Sequence, residues 1–337
     1  MRTDTLHIRR VMMALLTVLS LIACSKEEGA TGPFDVYFST RLQSAETVSR
    51  AETSQDISNH FSNTELGIYI DNDANTITQQ YKVGYSEGAY TSSIKLENDN
   101  YHCYGYMPSD IYEEASFDYT GNVLTITDVP AINAAPLTAA LPKSFSINGE
   151  VATINLQMNQ LMAKVTFQFT LPAPYADMRQ IEITGVRVTT PDNTANNTAV
   201  VTYGETGFTT TWTSVEGTAK TYATVAYSGT QASIGYPSLK ALRLTKGKQE
   251  FGACYIVPGT EARLQLEVTY NVYDMSDNET RHEAHAVNSN VRISPTNTSE
   301  LYTIEAGKNY ILNISVLPTY LYALSDFDLS SPHIMLD

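Results

Sequence analysis

The chain has 337 residues and a formal net charge of −15, from 36 acidic and 21 basic side chains. This length is sufficient for two domains of ordinary size. A surface this acidic repels phosphate backbones and anionic headgroups, which excludes nucleic acid as a partner. Solubility outside the cell explains the charge without any specific ligand.

The N-terminus has the features of an export signal. Three arginines among the first ten residues precede an apolar run at residues 11–23, and Cys24 follows directly. The run is too short to span a bilayer, which requires about 20 apolar residues. We therefore predict a signal peptide over residues 1–23. It resembles a bacterial lipoprotein signal, in which Cys24 would be acylated; an ordinary signal followed by a chance cysteine is the alternative.

Residues 24–33 are polar and contain glycine, so we predict a flexible tether there. Beyond it, short β-branched or aromatic segments bounded by turn residues predict strands. Val165, Phe167 and Phe169 alternate with polar residues, as is typical of a half-buried strand. Further segments of this kind lie at residues 36–38, 66–70, 123–126, 181–188, 264–270 and 312–316.

No segment shows sustained helical periodicity, and the 22 tyrosines favour pleated surfaces. The sequence therefore predicts an all-β fold of sandwich type. Prolines and a turn signal between residues 130 and 160 indicate the domain boundary. We predict one β-sandwich domain over residues 34–158 and a second over residues 159–337.

After Cys24 the chain has two cysteines, Cys103 and Cys254. A disulfide between them is compatible with export. Each lies in an apolar, tyrosine-rich segment, so two buried free thiols are the alternative.

Motifs for catalysis and metal binding are incomplete. His282 and His285 are three residues apart, whereas the helical zinc motif places its histidines four apart. Asp71 and Asp73 imitate a calcium loop, but Lys82 stands where its bidentate glutamate belongs. We predict a hairpin turn there, and no enzyme, metal site or cofactor in the chain.

Two other segments have features that an ordinary β-sandwich does not need. Arg50 lies in a polar segment of small residues, the kind of loop that proteases cut, although a solvated loop with an incidental arginine is the alternative. The C-terminal segment from residue 309 onward is extended and aromatic. It either pairs within its own sheet or leaves to pair with a neighbouring chain.

Several segments together resemble fimbrillin-family proteins of Bacteroidota. The most specific lie at residues 306–314 (AGKNYILNI) and 318–329 (PTYLYALSDFDL), although Phe327 stands where a proline is expected. Residues 161–167 (LMAKVTF) and 255–259 (YIVPG) are also similar to family segments. Residues 26–28 (KEE) look like the lipoprotein surface-export tag of the same phylum.

The resemblance implies two transthyretin-like sandwich domains and a subunit exported as a lipoprotein. In polymerising members an arginine-specific protease removes the first strand, and a neighbour's C-terminal strand fills the groove. On this chain the leaving strand would be about residues 34–42, cut at Arg50–Ala51 or, as the weaker alternative, after Arg41. The implied donor residues are Tyr320, Leu321, Tyr322, Leu324, Ile334 and Leu336.

The sequence therefore predicts a fimbrillin-like pilus subunit or adhesin component at the outer membrane, the cell surface and the fimbrium. Its expected partners are other fimbrial subunits, joined by strand addition, and the outer membrane, through lipid. A receptor on a host or bacterial surface is a further candidate partner, which the sequence does not identify. The alternative hypothesis is a permanently lipidated surface binding or anchor protein that does not polymerise and recognises a glycan or a host protein.

Overall fold

A computed structural model of the chain describes residues 32–42, 46–47, 55–56, 61, 63–86, 89–177, 179–189, 194–216, 222–260, 263–274, 280–292, 303–317 and 333–336. Apart from one helical turn, α1 (Ala173–Ala176), the regular structure of these residues is β. The predicted all-β class is confirmed. The finer prediction of two transthyretin-like domains in tandem remains a prediction.

Fourteen strands belong to the first half of the chain. They are β1 (Phe34–Leu42), β2 (Glu46–Thr47), β3 (Gln55–Asp56), β4 (Thr64–Asn72), β5 (Thr78–Ser86), β6 (Ala89–Tyr90), β7 (Ile94–Leu96), β8 (Asn100–Met107), β9 (Ala115–Asp118), β10 (Val123–Val129), β11 (Ile132–Asn133), β12 (Thr138–Ala140), β13 (Lys143–Ser146) and β14 (Ala152–Gln160).

Thirteen further strands follow in the described residues. They are β15 (Ala163–Thr170), β16 (Arg179–Thr189), β17 (Thr194–Tyr203), β18 (Phe208–Glu216), β19 (Tyr222–Val225), β20 (Leu242–Arg243), β21 (Gln249–Ile256), β22 (Gly259–Thr260), β23 (Arg263–Asp274), β24 (Thr280–Arg292), β25 (Thr303–Ile304), β26 (Lys308–Leu317) and β27 (His333–Leu336).

The first sheet has the order β3-β1-β14-β12-β8-β4-β5-β6, with β7 on β1 and β13 on β8. One face of it encloses the N-terminal core, which includes Val36, Ile68, Cys103 and Leu156. Its strand β4 is buried on both faces, because Tyr69 of the same strand belongs to a second cluster. A strand covered on both sides has a continuous apolar run rather than strict alternation. The hairpin predicted after Asp71 joins β4 to β5.

The second cluster, called the middle core here, lies between the first sheet and a four-stranded sheet of order β18-β17-β10-β9. It includes Tyr104 of β8, Leu124 of β10 and Val201 of β17. Its aromatic rings are packed closely, with the centroids of Tyr104 and Phe117 4.7 Å apart. The hairpin β17–β18 thus completes a sheet that begins with strands of the first half.

The remaining sheets enclose the C-terminal core, which includes Phe167, Ile183, Val268 and Ile314. One has the order β11-β21-β15-β26-β2 with β27 on β26, and the other has the order β19-β16-β23-β24 with β20 on β16. A separate two-stranded ladder joins β22 and β25.

The predicted domain division between residues 158 and 159 stays a prediction. Among the described residues three pairings cross it: β10 with β17, β11 with β21, and β2 with β26. The segment at residues 130–160, where the sequence indicated the boundary, contains strands β11 to β14. A domain boundary at this point would therefore divide sheets that contain strands from both sides of it.

Gly67 of β4 is required by a neighbouring ring. A Cβ at this position would collide with the ring of Tyr106, its register partner on β8, which is itself buried. We predict that Gly67→Ala lowers the free energy of unfolding by about 1–3 kcal/mol, the usual cost of overpacking. Gly185→Ala is the matched control, because an added Cβ in that strand meets Thr269 at an ordinary 3.6 Å. Denaturant unfolding of both variants measures the difference, and equal losses would contradict the prediction.

Candidate functional site

The candidate site is the first strand and its surroundings, together with the two ends of the chain. Side chains of β1 alternate, as strand geometry dictates. Val36, Phe38 and Leu42 are buried in the N-terminal core, whereas Tyr37 is 48% exposed and Arg41 is exposed. The strand therefore contributes an apolar row to the core and a polar face to solvent.

β1 is hydrogen-bonded along both edges. β14 runs parallel to it through seven register pairs, from Val36↔Ala152 to Leu42↔Met158. On the other edge β7 pairs with Phe34–Val36, and β3 pairs with Arg41 and Leu42. It is therefore an interior strand, with a continuous ladder on one side and a short ladder at each end of the other side.

Two side-chain hydrogen bonds reinforce the second edge. Tyr90 donates its hydroxyl to Thr40 Oγ1 at 2.8 Å, and Ser93 Oγ donates to Asp35 Oδ1 at 2.9 Å. Burial raises the pKa of the Tyr90 hydroxyl, so this group stays protonated and remains a donor at any physiological pH.

The walls around β1 are apolar. Ile154, Leu156 and Met158 of β14 face the same core, as do Ile94 and Leu96 of β7. Loss of β1 would expose these side chains together with the unpaired backbone edge of β14. Such a slot is a ready template for another extended segment.

The structure describes one of the two candidate cleavage positions, Arg41. Arg41 lies inside β1, paired on both edges, and the next residue, Leu42, is 1% exposed. A protease needs an accessible, unpaired segment, so the bond after Arg41 is protected in the folded chain. Arg50 and Ala51 lie outside the described residues, as does Cys24.

Two strands that are distant in sequence, β2 and β27, both pair with β26. β27 pairs antiparallel with it, with Ile334 opposite Val316 and Leu336 opposite Ile314. β2, which follows β1 in the chain, runs parallel to β26 at Lys308. The other predicted donor residues lie outside the described part of the chain; these are Tyr320, Leu321, Tyr322 and Leu324.

Cys103 and Cys254 are free thiols, and no bridge joins them. Cys103 is buried in the N-terminal core and Cys254 in the C-terminal core. Burial raises the pKa of the Cys254 thiol to about 12, and burial also raises the pKa of Cys103. Both side chains therefore remain protonated, and they behave as small apolar groups.

No group of three or more His, Cys, Asp or Glu side chains in the described part of the chain is placed to bind a metal ion. His282 and His285 lie on β24, opposite Val272 and Thr269, three positions apart along an extended strand. Among the same described residues, no helix has the length and hydropathy needed to cross a membrane.

The sequence did not predict one buried polar cluster. Glu182 of β16 is 0% exposed, although it lies between Ile181 and Ile183 in a segment whose alternation predicts an outward-facing position. Its carboxylate accepts hydrogen bonds from Ser233 Oγ at 2.7 Å and from the backbone N–H of Ile234 at 3.0 Å. Only three-dimensional contact reveals this, because the donors follow more than fifty residues later.

Glu182 fixes the segment between β19 and β20 onto its sheet. Arg243 Nη2 lies 3.4 Å from the carboxylate, and Ser233 Oγ is 3.2 Å from the Tyr273 hydroxyl. The segment then turns at Tyr236, whose carbonyl accepts from the N–H of Leu239 at 2.8 Å. The side chains of these two turn residues are about half exposed. The buried carboxylate thus supports a turn that presents apolar groups to solvent.

We predict that Glu182→Gln lowers the free energy of unfolding by about 1–3 kcal/mol. The amide retains one acceptor, but its NH₂ group would face donors that the carboxylate now satisfies. Exposed Glu250 on β21 provides the control, since Glu250→Gln makes the same chemical change in solvent. Chemical denaturation of both variants measures the difference, and an equal effect would show that the buried network adds no stability.

Comparison with known proteins gives likenesses of structure only. No family model matches the chain. No curated protein matches it either. Among solved structures, it is similar to a fimbrial protein from Bacteroides vulgatus, with a TM-score of 0.46 and 13% identity, covering 91% of this chain and 98% of that one.

Two further likenesses concern the same kind of protein. A candidate cell adhesion protein from Bacteroides fragilis has a TM-score of 0.48 and 10% identity, covering 90% of this chain and 97% of that one. The fimbrial anchor protein Mfa2 from Porphyromonas gingivalis has a TM-score of 0.31 and 12% identity, covering 84% and 90%.

Proposed function

We propose that the chain is a fimbrillin-like pilus subunit or adhesin component at the cell surface. It would be exported as a lipoprotein through Cys24, attached to the outer membrane, and assembled by donor-strand exchange after its first strand is removed. The observation that carries the proposal is the placement of β1. β1 is the first strand of the described residues. Its departure would leave an apolar slot bordered by the unpaired backbone edge of β14.

The C-terminal segment is a suitable donor on physical grounds. In the described residues β27 is attached to β26 by four register pairs, compared with the seven that join β1 to β14. A short terminal strand at a sheet edge opens more easily than an interior strand. Segment 320–336 of a neighbouring subunit would satisfy the β14 edge and fill the slot in one step.

The test uses a trypsin-like protease and a native gel. We expect the chain from Ser25 onward to form a ladder of oligomers after cleavage, and the Arg41→Ala variant to do the same. Arg50→Ala should remain uncut at this position and form no ladder on the same gel. Mass spectrometry of protein from the native cell envelope should find Ala51 at the N-terminus. An envelope protein still acylated at Cys24 would exclude the stalk role.

A permanently lipidated binding or anchor protein is the second candidate, favoured by the supported turn at Tyr236. Tyr222 is also exposed, and the Arg187 guanidinium lies 4.5 Å from the centre of its ring. Exposed tyrosine rings of this kind can stack on sugars. For this role we expect no ladder of oligomers after protease treatment, and glycan-array binding that Tyr236→Ala abolishes.

A further inference from the structure

Strand β18 forms the end of the four-stranded sheet that covers the middle core. In the described part of the chain its pairing partner is β17 alone, in register from Tyr203↔Phe208 to Thr198↔Thr213 and on to Asn197↔Ser214. Among the residues that the structure describes, no strand lies beside the backbone N–H and C=O groups on the other edge of β18. Unpaired edges of this kind are templates for strand addition.

The side chains of β18 are also incompletely covered. Thr209, Thr211 and Thr213 are exposed on the outer face. On the inner face, Phe208 and Trp212 pack against the middle core but remain only partly buried. A further strand next to β18 would cover both the open backbone edge and the sides of these two rings.

The usual protection of an edge strand is absent from residues 208–214 of β18. Natural edges are blocked by charges, particularly lysine, or by proline and bulges. Residues 206–215 contain no charged residue and no proline. The β17–β18 register runs without a shift from Asn197 to Tyr203. This edge is therefore regular, uncharged and rich in threonine, a residue that favours strands.

We propose that β18 pairs antiparallel with β18 of a second copy of this chain, centred on Thr211. In that register Trp212 of one copy lies opposite Thr210 of the other, and Thr209 lies opposite Thr213. Phe208 lies opposite Ser214. Threonine pairs directly across strands are favourable. A two-fold interface requires a self-complementary patch, and this register provides one. The two four-stranded sheets then form one continuous sheet.

This register places no two acids opposite each other, and the net charge of the chain sets its salt dependence. The acids at the two ends, Glu205 and Glu216, fall outside the uncharged segment, and Glu216 lies opposite Thr206 rather than another acid. Each copy nevertheless has a net charge of −15, so the two repel at long range. We expect association to strengthen as salt is raised, because screening removes this repulsion.

Sedimentation velocity of the chain from Ser25 onward tests the proposal without any protease. We expect a monomer–dimer equilibrium, with the Thr211→Lys variant at least about tenfold weaker, because two lysines would face each other at the centre. Thr202→Lys is the matched control: Thr202 is also exposed and lies on the same hairpin, but on the interior strand β17. The Thr202→Lys variant should dimerise as strongly as the unsubstituted chain.

Trp212 supplies a local readout because it is the only tryptophan in the chain. Quenching of Trp212 fluorescence by acrylamide should decrease as the concentration of the unsubstituted chain rises. For Thr211→Lys, quenching should not change with concentration. Equal unfolding midpoints of the two lysine variants exclude misfolding as the cause. A monomer at all concentrations, or a dimer unaffected by Thr211→Lys, would overturn the proposal. Since none of this requires Arg50 or β1, its failure would leave the proposed function untouched.

Discussion

Cleavage after Arg50 is expected to leave the N-terminal peptide bound to the rest of the protein. The reason is that β1 is an interior strand, paired with β14 on one edge and with β7 and β3 on the other. Its three core side chains are almost completely buried, and each contributes about 1.5–3 kcal/mol of transfer free energy. Cutting the bond after Arg50 removes none of these contacts.

The expected product is therefore a nicked complex, and strand exchange becomes a displacement rather than the filling of an empty slot. Native mass spectrometry of the freshly cut protein should show one species with the mass of the intact chain plus one water. A denaturing gel of the same sample should show two fragments. The Arg50→Ala variant, treated identically, controls for cleavage elsewhere. Immediate separation of the peptide under native conditions would contradict the expectation.

Displacement also gives the C-terminal segment a specific task. It must compete with a bound strand, so its advantage over β1 has to come from contacts that β1 does not make or from a high local concentration. A synthetic peptide with the sequence of residues 318–337 should accelerate release of the nicked peptide in proportion to its concentration. Release at a rate independent of that peptide would indicate spontaneous dissociation first.

Local patterns predicted the strands well because a strand with one buried face has a period of two in its own sequence. The segment from Val165 to Phe169 is a strand whose apolar residues are buried, as is the segment from Leu312 to Val316. The hydrophobic spacing in each case depends only on neighbours in the chain. The position of β1 as an apolar N-terminal strand could be predicted for the same reason.

Features that depend on distant partners could not be predicted. Glu182 has an outward-facing pattern, yet a segment about fifty residues away covers it with hydrogen-bond donors. The hairpin β17–β18 has an ordinary alternating sequence, which does not indicate that β17 pairs with β10. Register and sheet order are long-range properties, since the backbone groups that pair are chemically identical along every strand. The open edge of β18 follows from sheet order in the same way.

Phe38→Ala is expected to have the largest effect on stability of the substitutions considered, a loss of about 3–5 kcal/mol in the free energy of unfolding. Phe38 is 6% exposed in the N-terminal core, and its truncation removes apolar contacts and leaves a cavity between two packed strands. Tyr37→Ala on the same strand is the control, because that ring is 48% exposed and contributes much less to the core. Urea unfolding of the uncut variants gives the two losses.

The same substitution tests whether these contacts hold the strand after cleavage. Since the nicked peptide is retained by core burial, Phe38→Ala should release it from the cut protein far faster than the parent does, whereas Tyr37→Ala should change release little. Native mass spectrometry at successive times after cleavage follows the loss of the peptide. If both variants release it at the parental rate, backbone pairing with β14, β7 and β3 retains the strand rather than core burial. A donor would then need only to compete for hydrogen bonds, and the apolar slot would not select it.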